Sequence, residues 1–251
     1  MKALITGASS GIGKEMAIYL SSLGYDLILV SRSKEKLEEL ASKLKTKVKL
    51  VVIDLSDEKH VKDLYMLTKN ENIDFLINNA GFGLFGSYKD VNLNVELNMI
   101  DLNVKAVHLL TRLFLKDMTK KNSGYILNVA SSAGLLQGGP LMNTYYATKG
   151  YVVDFTLATY EELRRNKSKV GISVLCPGPV KTNFNDVAGV RFNLPSLDAK
   201  YVARYAIDQV IKKRKLIIVP GFKVRMGVIF SRFLPRKRLL KMTYNMQRRK
   251  K

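Results

Sequence analysis

At 251 residues the chain is long enough for one large domain, and a hydrophobic content of 47% supports a globular core. Its one cysteine, Cys176, excludes an intrachain disulfide and points to a reducing compartment, and two histidines, His60 and His108, supply no metal-ligand cluster. Net charge is +21 but uneven: residues 209–251 hold 15 Lys and Arg with no Asp or Glu, leaving +6 for the rest. The first strand is expected to open at Lys2, so no signal peptide precedes it and a cytoplasmic location is expected. No apolar stretch reaches the roughly 18 uncharged residues a spanning helix needs.

Seven short apolar runs follow one another along the chain. They are Ala3–Ile5, Leu27–Val30, Leu50–Ile53, Phe75–Ile77, Tyr125–Val129, Ile172–Leu175 and Leu216–Val219. Runs apolar on both faces read as parallel strands covered by helices on each side. Helical patterns of crossover length lie between them, which predicts a doubly wound, mostly parallel seven-stranded α/β sheet. The pattern over 99–116 confines its polar groups to one stripe, Asp101, Lys105, His108, Arg112 and Lys116. So wide an apolar surface implies a second buried face, against either a neighbouring helix or a partner subunit.

The run Thr6-Gly7-Ala8-Ser9-Ser10-Gly11-Ile12-Gly13 sits between the first strand and the first helix. Glycines there let the backbone turn sharply and approach a pyrophosphate, and the helix beyond offers free N–H groups to an anion. The second strand ends in Ser31-Arg32-Ser33, with no acid before Glu35. An acid at this place would bind a ribose 2′-hydroxyl, whereas Arg32 can fork a 2′-phosphate, so the expected cofactor is NADP(H). Far downstream, Tyr145 and Lys149 stand four apart and share one helix face. A nearby ammonium favours a phenolate and brings a tyrosine toward useful acid–base range.

With these motifs the chain resembles the short-chain dehydrogenase/reductase family, from Met1 to about Val219. The resemblance implies a Rossmann-type catalytic domain over 1–219 and hydride transfer between a nicotinamide and a small carbonyl or alcohol substrate. It implies that Tyr145 exchanges the proton, that Lys149 also holds the nicotinamide ribose, and that Asn103 helps hold a water leading to the lysine. Asp54 and Leu55 match the family's adenine-side position, and Asn79, Ala80 and Gly81 its cofactor-lining segment. Ser9, Ser10 and Ile12 belong to the glycine-rich loop. Pro177, Gly178, Val180 and Thr182 match the segment beside the nicotinamide. The family's serine maps to Ser131 when aligned from the strand end and to Ser132 when counted back from Tyr145. Ser131 is favoured, because the strand fixes its direction while a loop absorbs an insertion. Cys176 reads as a small buried hydrophobe. Asn183–Ala199, with Phe184, Val187, Val190, Phe192 and Leu194, reads as an apolar lid over the substrate. The helices over 99–116 and 144–165 often build dimer interfaces in the family, so a homo-oligomer is expected.

Residues 220–251 form a basic amphipathic extension. Phe222, Met226, Ile229 and Phe233 share one helical stripe flanked by Lys223, Arg225 and Arg232, and beyond Pro235 a second stripe carries Leu239, Thr243 and Met246. Such a tail packs on the body or on another subunit, or it attaches to an anionic membrane surface. Nucleic acid is not expected, since no recognition motif accompanies the charge. A rival to the enzyme is a membrane-associated or sensory NADP(H)-binding protein with little turnover. The complete Asn103, Ser131, Tyr145 and Lys149 set argues against it.

Overall fold

A computed structural model describes residues 1–182, 184 and 196–248. All seven expected strands form one sheet. They are β1 (Lys2–Thr6), β2 (Asp26–Ser31), β3 (Val48–Val52), β4 (Phe75–Asn78), β5 (Tyr125–Val129), β6 (Gly171–Leu175) and β9 (Ile217–Ile218), parallel throughout in the order β3-β2-β1-β4-β5-β6-β9. Alternate side chains feed two cores, as the two-residue strand period requires. Ala3 and Ile5 of β1 and Leu27 and Leu29 of β2 pack with Met16, Leu20, Val202 and Ile207 on one face. Leu4, Ile28 and Val30 pack with Leu64, Leu110 and Phe114 on the other. Helices α1 (Gly11–Ser22), α2 (Lys34–Ala41) and α7 (Ala199–Lys213) cover the first face; α3 (Glu58–Thr68), α5 (Val107–Lys120) and α6 (Asn143–Arg165) cover the second.

Strand order reverses between β1 and β4, which are paired with Ile5 opposite Ile77. The diverging loops at that reversal leave a crevice at the carboxyl ends of the strands. Thr6 at the end of β1 braces it, its hydroxyl accepting from the N–H of Asn79 at 2.9 Å and of Ala80 at 3.0 Å.

The stretch read as one helix from 99 begins earlier and changes register. Helix α4 (Leu93–Ile100) runs into a π-helical turn (Asp101–Ala106) and then into α5. A π turn inserts a residue into the helical ladder and is a common mark of functional positions. Two short strands, β7 (Val180–Lys181) and β8 (Leu197–Asp198), pair in parallel and pin the ends of the segment read as a lid. Of that segment's apolar residues, Val187, Val190, Phe192 and Leu194 lie outside the described residues.

Both tail helices, α8 (Phe222–Ser231) and α9 (Arg236–Arg248), rest on the body. Of the stripe read over 222–233, Phe222, Ile229 and Phe233 are exposed and Met226 is half-buried, whereas Val228 and Ser231 of α8 are buried. On α9 the buried residues are Leu239, Thr243 and Gln247, one helical turn apart, and Met246 is 38% exposed. No helix among the described residues is long and apolar enough to cross a membrane.

Candidate active site

A cleft of about 600 Å³ runs across the carboxyl ends of the strands. At one end lie Gly7, Ser9, Ser10, Gly11 and Ile12, with Ser31 and Arg32 from β2, Asp54 and Leu55 after β3, and Asn79, Ala80 and Gly81 after β4. At the other lie Ser131, Tyr145, Lys149, Pro177, Gly178, Val180 and Thr182. These nineteen residues, drawn from segments far apart in the chain, meet only because the strands end side by side. Gly13 and Asn103, also expected at the site, stand behind the lining.

The glycine loop has the shape a pyrophosphate needs. Gly7 and Gly11 have φ of 65° and 53°, in the left-handed region where a side chain is strained. A Cβ on Gly7 would sit 2.8 Å from Ala80 Cα, and one on Gly11 2.9 Å from the Thr182 side chain. Ser10, the residue before α1, makes no side-chain cap, so the N–H groups of the first turn remain available to an anion. Gly13 serves packing instead: a Cβ there would lie 2.4 Å from the carbonyl oxygen of Gly7. Asn79 holds the same loop, its amide donating to the carbonyls of Thr6 at 3.0 Å and Gly7 at 3.1 Å.

Arg32 extends into solvent, its side chain 70% exposed, and approaches Asp54 at 3.4 Å. Burial acts to raise the Asp54 pKa, but hydrogen bonds from the Ser56 N–H and hydroxyl, with Arg32 beside it, hold it below the ordinary carboxylate value. Asp54 does not cap the following helix; Asp57 does, accepting from the Lys59 N–H.

Tyr145 and Lys149 are both buried, on the first turns of α6. Burial pushes the Tyr145 phenol up to about 12, opposed by its hydrogen bond with Ser131. Of the two candidate serines, both of which line the cleft, Ser131 at the end of β5 is the one whose hydroxyl opposes the rise of the phenol; its Oγ also accepts from the Ala133 N–H at 3.1 Å, while Ser132 opens a single 3-10 turn beyond it. Burial lowers the Lys149 ammonium to about 8. Its Nζ donates to the Val129 carbonyl at 3.0 Å and lies 6.0 Å from the centre of the Tyr145 ring. The expected lowering of the phenol pKa by this ammonium is absent from this arrangement, because burial dominates and Nζ points to the β5 backbone. Burial likewise raises the Cys176 thiol to about 12, as befits a buried hydrophobe.

Asn103 sits in the π turn, fully buried. Its amide donates to the Phe82 carbonyl at 2.8 Å and to Thr148 Oγ1 at 3.2 Å, and its oxygen accepts from the Phe82 N–H at 3.1 Å. Gly81 lies between it and the lysine: a Cβ there would stand 2.7 Å from Asn103 Oδ1 and 3.3 Å from Lys149 Nζ.

The outer part of the cleft holds residues that sequence reasoning did not single out for the site, among them Asn98, Leu136, Met142 and, from the tail, Met246 and Gln247. Phe184, expected in the lid, lies over Tyr145 with ring centres 5.5 Å apart. Gln247 donates from Nε2 to the Tyr146 hydroxyl at 2.7 Å. Its amide oxygen is buried without a hydrogen-bond partner among the described residues. The one available signal was its place one turn beyond Leu239 and Thr243, a polar residue on the buried stripe of α9. No group of three or more His, Cys, Asp or Glu that could hold a metal occurs among the described residues.

The short chain dehydrogenase sequence profile matches residues 1–189. An uncharacterised oxidoreductase of Staphylococcus epidermidis is 32% identical over 211 residues, covering 82% of this chain and 90% of that protein. The human very-long-chain 3-oxoacyl-CoA reductase is 34% identical over 171 residues, covering 64% of this chain and 54% of that protein. Among solved structures, a short-chain dehydrogenase from Sphingobium yanoikuyae in complex with NADPH superposes with a TM-score of 0.83 at 26% identity, covering 92% of this chain and 93% of that one. One from Burkholderia phymatum in complex with NAD superposes with a TM-score of 0.82 at 29% identity, covering 91% of each. The profile match, the seven-stranded parallel sheet and the nucleotide cleft agree: this chain belongs to the short-chain dehydrogenase/reductase family of oxidoreductases.

Proposed function

We propose that this protein is an NADP(H)-dependent reductase of a small, apolar carbonyl compound, working reversibly on the corresponding secondary alcohol. The observation that carries the reading is the meeting of Ser131, Tyr145 and Lys149 at one end of a cleft whose other end holds Arg32. When bound, the nicotinamide supplies the hydride that reaches the carbonyl carbon. Tyr145, a neutral buried phenol, donates its proton to the carbonyl oxygen as charge develops there. Ser131 donates a hydrogen bond to the same oxygen and fixes its direction. Lys149, largely charged at neutral pH, would hold the ribose hydroxyls and offset the negative charge left on Tyr145. Asn103 acts as a positioning residue through Phe82 and Thr148, the latter adjacent to the lysine.

Arg32 and the absence of an acid at Ser31 or Ser33 support the phosphate-bearing cofactor. The similar solved structures hold NADPH in one case and NAD in another, so the preference rests on this chain's own residues. Leu136, Met142, Phe184 and Met246 support an apolar substrate. The likeness to a very-long-chain 3-oxoacyl-CoA reductase makes 3-oxoacyl compounds the first class to assay. A cytoplasmic site fits the free, buried Cys176.

The test combines cofactor titration with two variants. NADPH should bind at least about tenfold more tightly than NADH, and Arg32→Asp should erase that preference. Tyr145→Phe should lower kcat by about 10²- to 10⁴-fold with NADPH affinity unchanged. A Tyr145→Phe protein with full turnover would refute the assignment.

A further inference from the structure

The tail leaves a surface that nothing among the described residues covers. On α8, Val224, Val228 and Ser231 turn to the body, Val224 beside Gly178. The opposite stripe bears Phe222, Ile229, Phe230 and, just past the helix, Phe233, with the three phenylalanines 73%, 62% and 80% exposed. Positions 222, 229, 230 and 233 fall within one face of a 3.6-residue helix. Exposed apolar side chains gathered in this way mark an interaction surface.

Charge identifies the occupant. Lys223 on α8, Arg232 in the turn after it and Arg236, Lys237, Arg238 and Lys241 on α9 are all exposed. None of them makes an ion pair with a carboxylate among the described residues, and residues 209–251 contain no acid at all. A second copy of the chain would bring these cations against one another. An anionic bilayer answers both features, its headgroups meeting the cations and its interfacial layer taking the aromatic rings. We propose that α8 and α9 dock this protein on an anionic phospholipid surface, with Phe222, Phe230 and Phe233 at the interface. A ten-residue helix lies on a bilayer and does not span it. Helix α9 also lines the cleft through Met246 and Gln247, so the docked element and the outer end of the cleft share one helix.

The test is co-sedimentation of the full chain with vesicles of phosphatidylcholine alone or mixed equally with phosphatidylglycerol, at low and high salt. Binding is expected only to the mixed vesicles, weakening as salt rises. The variant Phe222→Ser/Phe230→Ser/Phe233→Ser should partition at least about tenfold less. Lys237→Glu/Arg238→Glu should lose more than about tenfold, since each removed cation is worth about fivefold. NADPH titration of both variants, expected to match the parent chain, separates failure of docking from failure of the fold or of the proposed enzyme. No binding to anionic vesicles, or equal binding by the phenylalanine variant, would overturn the proposal. So would an oligomer in solution that the phenylalanine variant dissolves, with no vesicle binding, since the face would then be a contact between copies.

Discussion

Tyr145 is 8% exposed, and Lys149 on the next turn is 5% exposed. Two groups buried together in a low-dielectric site are each pushed toward neutrality, which is why the phenol rises while the ammonium falls. For Lys149 this has a consequence for stability. Between pH about 8 and 10.5 the folded chain has released a proton that the unfolded chain still holds, so this group makes stability rise with pH across that window. Below it, the cost of burying the charge is fully present. In the cofactor-free protein, Lys149→Met should therefore melt higher than the parent chain near pH 7, by a margin that shrinks between pH 8 and 10. A margin independent of pH would mean that Lys149 has no depressed pKa. Ser131 poses a sharper choice. Its hydroxyl is the one that opposes the rise of the phenol, so Ser131→Ala should lose about 10²-fold or more in kcat while Ser132→Ala stays near the parent value. The reverse order would show that the loop, not the strand end, sets the register. The spacing of Tyr145 and Lys149 was readable because a helix places such residues on one face. Where Nζ points was not, since the Val129 carbonyl that receives it comes from another element.

Helix α6 is held at both faces, and its position decides where Tyr145 stands. Behind the sheet, Asn78 donates to Thr111 and Asn128, and Asn128 donates to Thr156 on α6, a buried polar chain linking β4, β5, α5 and α6. Toward the cleft, Gly134 lies against the helix backbone: a Cβ there would be 2.4 Å from the Lys149 carbonyl oxygen. Backbone cannot rotate aside as a side chain does, so Gly134→Ala must shift α6 or the turn that carries Ser131 and Ser132. Overpacking of this kind costs about 1–3 kcal/mol, or a fall in Tm of several degrees for a chain of this size. Thermal melting would show it, and kcat should drop with it; an unchanged Tm would mean that the turn yields freely. Strand positions were legible because alternate residues of each run serve two cores. The π turn at Asp101–Ala106 was not, because Asn103 occupies it through partners on the β4 loop and α6.

At the scale of the molecule, α5 and α6 leave an aromatic and aliphatic face outward. His108 bonds Tyr151 at 2.7 Å, Tyr151 stacks on Phe155, and Tyr151 is 40% exposed. This face supports the expectation of a homo-oligomer formed through these helices. Light scattering after gel filtration should give a dimer or larger, and Tyr151→Glu/Phe155→Glu should give a monomer that still binds cofactor. A monomeric parent chain at micromolar concentration would remove the expectation. The sequence by itself determined the sheet, the glycine turn and the Tyr145–Lys149 pair. Each of these is a local rule, written in the period of apolar residues, in backbone freedom or in the reach of one helical turn. It also located the basic tail, since charge is counted without coordinates. Only the tertiary structure decided that the phenylalanine stripe of α8 faces away from the body and that Gln247 closes on Tyr146. Those outcomes depend on contacts between segments far apart in the chain, and no local pattern encodes which of two amphipathic faces the body will cover.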